Sequence, residues 1–215
     1  MSYGDWIAAW YQWLLSERPE YNGEDILFLR GNVNYRPVGG NEGGPQHIDP
    51  KGKHEGAEEI DECTAILIPI LTSHLSLGDH YNGKKITSIP DLRETTNKDT
   101  NGGSIWATIE KKGGKAMSIV SDLKDYRFES PLFFLLIPRN SKLRKQMDII
   151  PKPGNYHTII VGYFIIIKSL PIGTYRLKFG GTNGSAYHTN SLYDIKVIKK
   201  RKDNVIDKSG STNTI

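Results

Sequence analysis

Hydrophobic and polar residues alternate regularly over the C-terminal third of the chain, Tyr156–Ile198. Residues 174–179 place Tyr, Leu and Phe on one face of an extended segment and Arg and Lys on the other, and residues 193–197 repeat this alternation. Residues 162–167 form a nearly continuous apolar run, which is typical of a strand covered on both faces. The pattern predicts three consecutive strands of an antiparallel sheet, with one face of that sheet in solvent.

Shorter apolar runs between turn residues predict further strands upstream. They cover residues 26–29, 64–71, 104–109, 116–120 and 130–138. Pro69 predicts a bulge or an edge position, because proline cannot donate a hydrogen bond to a neighbouring strand. Residues 111–114 predict a hairpin turn, and the prolines that bound 130–138 mark a core strand. Roughly eight or nine short strands predict a mainly β fold, an antiparallel β-sandwich or jelly roll with one N-terminal amphipathic helix.

Residues 2–17 are predicted to form that helix, since apolar residues recur at the spacing of one helical face. Ser2 and Asp5 resemble a capping box at its start, and Pro19 follows its end. The candidate binding residues are four aromatic residues of this helix, Trp6, Trp10, Tyr11 and Trp13. Exposed rings there would stack on sugars or contact a partner. The alternative is that the apolar stripe packs on the sheets as core.

The length of 215 residues and a hydrophobic content of 37% suit a single turn-rich globular domain, residues 1–198. The glycine-rich residues 38–57 are predicted to form a long loop within this domain. Residues 95–103 are predicted to form a second polar loop. Residues 199–215 are predicted to form a basic, flexible tail.

This tail carries most of the net positive charge of the chain. Its five basic and two acidic side chains give +3 of the net charge of +4, so the domain itself is close to neutral. Contact with nucleic acid is therefore predicted only through the tail. The basic residues concerned are Lys199, Lys200, Arg201 and Lys202. A solvated tail without a partner and a localisation signal are the alternatives.

His74, Asp79 and His80 form a tight group of two histidines with a carboxylate beside them. Imidazole and carboxylate groups bind zinc or non-haem iron, and a further ligand would come from His157 or His188. The spacing matches no established metal-binding template, so no resident cofactor is predicted. The group is kept as the site of an alternative, metal-dependent enzyme.

The motifs of common enzyme classes do not occur in the sequence. It has no nucleophile elbow, no complete phosphate-binding loop motif and no dinucleotide-binding glycine pattern. Cys63, the single cysteine, leaves no intrachain disulfide possible and is predicted to be an inert core thiol at the start of an apolar strand. The carboxylates of Glu58–Glu62 are predicted to lie in a solvated loop. The sequence thus favours a protein without enzymatic activity.

Neither a signal peptide nor a transmembrane segment is predicted. No basic stretch precedes the N-terminal helix, and no apolar run reaches the length of about 20 residues that a membrane span needs. A cytoplasmic location, or a place in an assembled particle, is expected unless an export signal has been trimmed from the chain.

Several short motifs follow one another over residues 2–198. The chain begins Ser-Tyr-Gly-Asp-Trp after Met1 and continues into a Trp-rich helix. Later motifs are Ile68-Pro69-Ile70, Ser130-Pro131-Leu132-Phe133, Gly162-Tyr163-Phe164, Leu170-Pro171-Ile172-Gly173 and Tyr193-Asp194-Ile195-Lys196-Val197. In these features the chain resembles a family of uncharacterised archaeal and bacterial single-domain proteins, mostly expected to be exported. The resemblance implies one β-rich domain and brings no known activity and no catalytic residues.

Together these observations favour a non-enzymatic structural or interaction subunit that acts through binding surfaces. Such a subunit would bind a protein partner or further copies of itself, as in a larger assembly such as a virus particle. Two alternatives stay open at this point. One is a carbohydrate- or small-ligand-binding module that uses exposed aromatic residues, and the other is the metal-dependent enzyme with its His/Asp site.

Overall fold

The computed structural model describes residues 2–16, 26–30, 33–35, 58–99, 103–139, 153–183 and 187–200. These residues form a mainly β structure with two α-helices, which confirms the predicted fold class in outline. The predicted loop 38–57, and the tail beyond residue 200, lie outside the described residues. Within the described ranges, no helix is long and apolar enough to cross a membrane.

The first sheet is built around the long strand β11 (Gly154–Ile167). On one side β4 (Ala65–Ser76) pairs with it in antiparallel fashion, and β1 (Ile26–Phe28) adds to β4 in parallel. On the other side β10 (Phe133–Ile137) and β9 (Arg127–Glu129) pair with successive parts of β11. The apolar run at 162–167 therefore lies in the middle of a sheet, as its sequence predicts.

The second sheet has six strands, and β12 and β13 form its central hairpin. The members are β2 (Val33–Tyr35), β3 (Glu58–Asp61), β7 (Ser104–Lys111), β8 (Met117–Ser118), β12 (Gly173–Asn183) and β13 (Tyr187–Ile198). The predicted hairpin over 104–120 is confirmed by the antiparallel pairing of β7 with β8. A separate small hairpin joins β5 (His80–Tyr81) to β6 (Lys84–Lys85).

Two details of the predicted sheet are wrong. Both sheets are mixed rather than antiparallel throughout, because β1 runs parallel to β4 and β3 runs parallel to β13. The three C-terminal strands also belong to different sheets, since residues 168–172 lead from β11 in the first sheet to β12 in the second. The alternation in the last two strands is confirmed, with Tyr175 and Leu177 buried while Arg176 is exposed.

The main hydrophobic core contains side chains of both sheets. The first sheet contributes Leu27, Ile66, Ile68, Tyr163 and Ile165, and the second contributes Ala107, Leu177, Phe179, Tyr193 and Ile195. A buried hydroxyl group links the same two sheets. The Thr189 side chain donates a hydrogen bond to the carbonyl oxygen of Ile70 at 2.6 Å and accepts one from the Gly181 N–H group at 2.9 Å. The sheets thus share apolar contacts and a hydrogen-bonded bridge.

Helix α1 (Tyr3–Ser16) confirms the predicted N-terminal helix. Its capping box is complete, because the Ser2 N–H group donates to the Asp5 carboxylate while the Asp5 N–H group donates to the Ser2 hydroxyl. These hydrogen bonds lower the pKa of the Asp5 carboxyl group, since they stabilise its ionised form. The apolar stripe of the helix packs on the first sheet, in a core cluster that includes Leu67 and Phe164.

Helix α2 (Ile89–Asp99) occupies residues for which a polar loop is predicted, so the prediction for 95–103 is wrong over its first part. Ser88 caps the helix by accepting a hydrogen bond from the Asp91 N–H group at 3.2 Å. Leu92 and Thr96 are both fully buried. The Thr96 hydroxyl donates to the Leu92 carbonyl oxygen, which satisfies this polar group inside the core.

Three further local predictions are wrong. Residues 130–138 are not a core strand, because β10 lies at an edge of the first sheet with Phe134 and Leu136 exposed. Residues 58–61 form β3 rather than a loop. Cys63 is exposed in the turn that follows β3, not buried in the core. The bulge predicted at Pro69 is confirmed by a register shift that leaves Ile70 without a partner on β11.

Candidate binding surfaces

Two of the four candidate aromatic residues on α1 are core residues. Trp10 is only 3% exposed, donates its indole N–H to the Leu29 carbonyl oxygen at 2.8 Å and meets the Phe164 ring edge-on at 5.6 Å. Tyr11 is buried as well, with its ring 4.6 Å from that of His74. Neither ring can present a face to a ligand while α1 is packed on the sheet. Their burial contradicts the hypothesis that they bind a ligand and agrees with the core alternative.

Trp6 and Trp13 are half-buried and lie on either side of one phenylalanine. Their rings are 6.1 Å and 5.7 Å from the ring of Phe28. The guanidinium group of Arg30 lies 5.2 Å from the centre of the Trp13 ring, at cation–π distance. These contacts pack both rings against β1 of the first sheet, while each side chain stays partly exposed.

The potential metal ligands His74, Asp79 and His80 do not form a common site. His74 lies against Tyr11 on the α1 side of the first sheet, and His80 is exposed at the start of the small hairpin. The Asp79 carboxylate accepts a hydrogen bond from the Ser76 N–H group at 2.7 Å within the preceding turn. Partial burial raises the pKa of this carboxyl group, because desolvation disfavours its charged form.

The more distant histidines do not complete the group. His74 is paired across the strands with Ile160, whose side chain packs under α1. Side chains alternate along β11, so His157 lies on the same face as Ile159 and Val161, which is the face opposite to α1. The side chain of His188 lies outside the described residues. Within the described part of the chain, no three His, Cys, Asp or Glu side chains are placed to hold a metal ion.

A polar network joins α2 to β9. Arg93 forms an ion pair with Glu129, and the Asn97 side-chain amide donates to the same carboxylate at 2.9 Å. The Arg127 guanidinium donates to the backbone and side-chain oxygens of Asn97, at 3.0 Å and 2.9 Å. The groups of this network hydrogen-bond to one another, so its evident role is to fix the helix on the sheet.

The edge strand β10 carries an exposed apolar surface. Phe134 is 69% exposed and Leu136 is 52% exposed, and both side chains lie on one face of the strand. The His157 ring lies 4.2 Å from that of Phe134. Phe134, Leu136 and His157 are called the β10 patch below. Large apolar side chains that lie together in solvent commonly mark a contact surface.

The open edge of β10 is partly closed by a side chain of α1. The Gln12 amide donates to the Leu136 carbonyl oxygen at 2.8 Å and accepts from the Leu136 N–H group at 2.9 Å. One glutamine thereby pairs both peptide groups that a neighbouring strand would otherwise use. The β10 patch is therefore open on its face, while its edge is blocked at Leu136.

A second exposed surface lies on the outer face of the second sheet. Trp106 is 39% exposed and belongs to a cross-strand row that runs from Asn190 through Gly180 to Trp106. Lys178 and Thr108 stand in the next row. Trp106, Thr108, Lys178 and Asn190 are called the Trp106 platform below. Alternation along β7 could have indicated this residue, since position 106 shares the polar face of Ser104 and Thr108.

Lys199 and Lys200 of the predicted basic tail are exposed directly after β13, and Arg201 and Lys202 lie outside the described residues.

Comparisons with protein-family models, with curated proteins and with solved structures return no significant match. The resemblance to the uncharacterised archaeal and bacterial family stays a prediction.

Proposed function

We propose that this chain is a non-enzymatic β-sandwich protein that works as an interaction subunit and assembles through the β10 patch. The carrying observation is the exposure of Phe134 and Leu136 on one face of an edge strand, at 69% and 52%. The partner is a second copy of the chain. The exposed Phe134 and Leu136 side chains can pack against the same two side chains of another copy, as a two-fold symmetric dimer contact requires.

The sandwich architecture is supported by the core shared between the two sheets and by the Thr189 bridge. Consecutive strands pair within one sheet, β12 with β13 and β10 with β11. Such local hairpins favour a sandwich over a jelly roll, whose strands pass more often from one sheet to the other.

Burial of the β10 patch supplies the free energy of association. Removing apolar surface from water is worth about 25 cal/mol for each Å². The Gln12 amide already occupies the edge beside Leu136, which favours face-to-face packing over strand addition. That arrangement limits open-ended growth and produces a closed dimer as the first assembly unit.

Sedimentation velocity over about 1–300 µM protein tests this proposal, a range that covers typical weak self-association. The wild type is expected to dimerise with rising concentration, and the double variant Phe134→Ser, Leu136→Ser to stay monomeric. Met117→Ser is the matched control, because Met117 is 64% exposed but lies on β8 of the other sheet. A wild type that stays monomeric, or a double variant that dimerises equally well, contradicts the proposal.

The site residues that the sequence names for the two alternatives find no supporting geometry among the described residues. A ligand-binding role for the α1 aromatics needs open ring faces, and Trp10 and Tyr11 are buried. A metal-dependent reaction at His74, Asp79 and His80 needs ligands that converge, and those described do not. Nucleic-acid contact through Lys199–Lys202, and the location of the protein, stay predictions.

A further inference from the structure

The Trp106 indole lies directly against the backbone of a glycine, Gly180. A Cβ atom at position 180 would lie 2.8 Å from Cζ2 and 3.0 Å from Cε2 of Trp106, and it would also collide with the Thr189 carbonyl oxygen. Real Cβ atoms essentially never approach a neighbour so closely. The glycine thus lets the indole lie against the strand beside it, where it is supported from below and partly open to solvent.

Residues with hydrogen-bonding side chains occupy neighbouring register positions on the same face of the sheet. Asn190 stands beyond Gly180 in the same cross-strand row, and Lys178 and Thr108 stand in the next row. Asn190 and Lys178 are exposed, and Thr108 is half-buried. An amide, an ammonium and a hydroxyl group together offer both donors and acceptors, which is the small polar set that orients a ligand at an apolar surface.

The charges on this outer face balance one another. Five charged residues occupy the described outward-facing positions of β7, β12 and β13, namely Glu110, Arg176, Lys178, Asp194 and Lys196. Arg176 pairs with Asp194 at 2.9 Å, and Lys196 pairs with Glu59 of β3 at 2.7 Å. Asp194 and Glu110 raise the pKa of Arg176. The two other charged residues, Lys178 and Glu110, have opposite signs. The outer face therefore lacks the excess positive charge that binding of a phosphate backbone requires.

We propose that the Trp106 platform binds an uncharged carbohydrate. One face of a pyranose ring presents C–H groups, which pack on the apolar face of an indole, while its rim carries hydroxyl groups. With the sugar ring stacked on Trp106, those hydroxyls reach Asn190, Lys178 and Thr108. This site lies on the outer face of the second sheet and shares no residue with the β10 patch, so it does not depend on the proposed assembly.

The test measures binding of cellohexaose, xylohexaose, mannohexaose and chitohexaose by isothermal titration calorimetry. The protein is expected to bind at least one of them, and Trp106→Ala to weaken that binding by about tenfold or more, as removal of an aromatic anchor does. Asn190→Ala is expected to weaken it by about threefold to tenfold through the loss of one hydrogen bond. This second variant changes an exposed side chain, so it decides the matter if Trp106→Ala does not fold.

Phe134→Ser serves as the matched control, because it removes an exposed aromatic ring from the other sheet and is expected to leave sugar binding unchanged. Three results would overturn the proposal. The wild type binds none of the four oligosaccharides at concentrations up to about 5 mM, where even weak binding is detectable. Binding is unchanged in both Trp106→Ala and Asn190→Ala. An oligouridylate binds instead and depends on Trp106, which would make the platform a base-stacking surface.

Discussion

The buried hydroxyl group of Thr189 illustrates how single residues hold this molecule together. It donates to the Ile70 carbonyl oxygen of the first sheet and accepts from the Gly181 N–H group of the second. Replacement by valine keeps the shape of the side chain but leaves both backbone groups without this partner in the core. The loss of such a buried hydrogen-bonding partner costs about 1–3 kcal/mol of stability.

We therefore expect Thr189→Val to lower the free energy of unfolding by about 1–3 kcal/mol, measured by urea denaturation. Thr174→Val is the matched control, because Thr174 is exposed at the start of β12. That change should stay within about 0.5 kcal/mol of the wild type. Equal stabilities for the two variants would show that the hydroxyl does not bridge the sheets.

For single residues, the sequence predicts the direction of a side chain on a strand better than its exposure to solvent. The alternation of 174–179 and 193–197 predicts which side chains point inward, because strand parity is a local property. It does not tell which aromatic residues end in solvent. Trp10 lies on the stripe that packs against a sheet, and Trp106 stands on an outer face beside Gly180, so exposure is decided by what covers each surface.

Secondary-structure elements are joined here by polar contacts as well as by core packing, and α2 is the clearest case. Glu129 of β9 accepts from Asn97 and pairs with Arg93, so one carboxylate holds two side chains of the helix. Among the described residues, Glu94 on the same helix forms its ion pair with Lys98 one turn later, and both of these side chains are largely exposed. The two carboxylates thus differ in whether they connect elements.

Glu129→Ala is expected to destabilise the protein by about 1–2 kcal/mol, because it removes two contacts between α2 and the first sheet. Glu94→Ala should cost no more than about 0.5 kcal/mol, the usual value of an exposed pair within one helix. Thermal or urea denaturation of both variants provides the comparison. A cost for Glu94→Ala as large as that for Glu129→Ala would contradict this view of the network.

Elements with strong local signals are predictable from the sequence, and the others are not. Helix α1 has a capping box and a long apolar stripe, and both are present in the structure. Helix α2 buries few residues, among them Leu92 and Thr96, so its periodicity is too weak to outweigh its polar composition. The acidic segment Glu58–Asp61 forms strand β3 because β13 pairs with it in parallel. This long-range pairing is not visible in the local sequence pattern.

At the scale of the whole molecule, the two exposed surfaces lie on different sheets. The β10 patch belongs to an edge of the first sheet, and the Trp106 platform lies on the outer face of the second. A subunit arranged in this way can assemble through one surface while the other stays open to a ligand. Which strands share a sheet could not be predicted, because residues 168–172 cross between sheets without a distinct sequence signal.

Concentration-dependent NMR of the side chains in the β10 patch tests the central claim, assembly through that patch, most directly. Face-to-face packing would bury the Phe134 ring and the Leu136 methyl groups against the second copy, so their signals are predicted to shift as the protein concentration rises. The Met117 methyl signal, on β8 of the second sheet, should show no change. Phe134 and Leu136 signals that stay the same at low and high concentration would contradict the account.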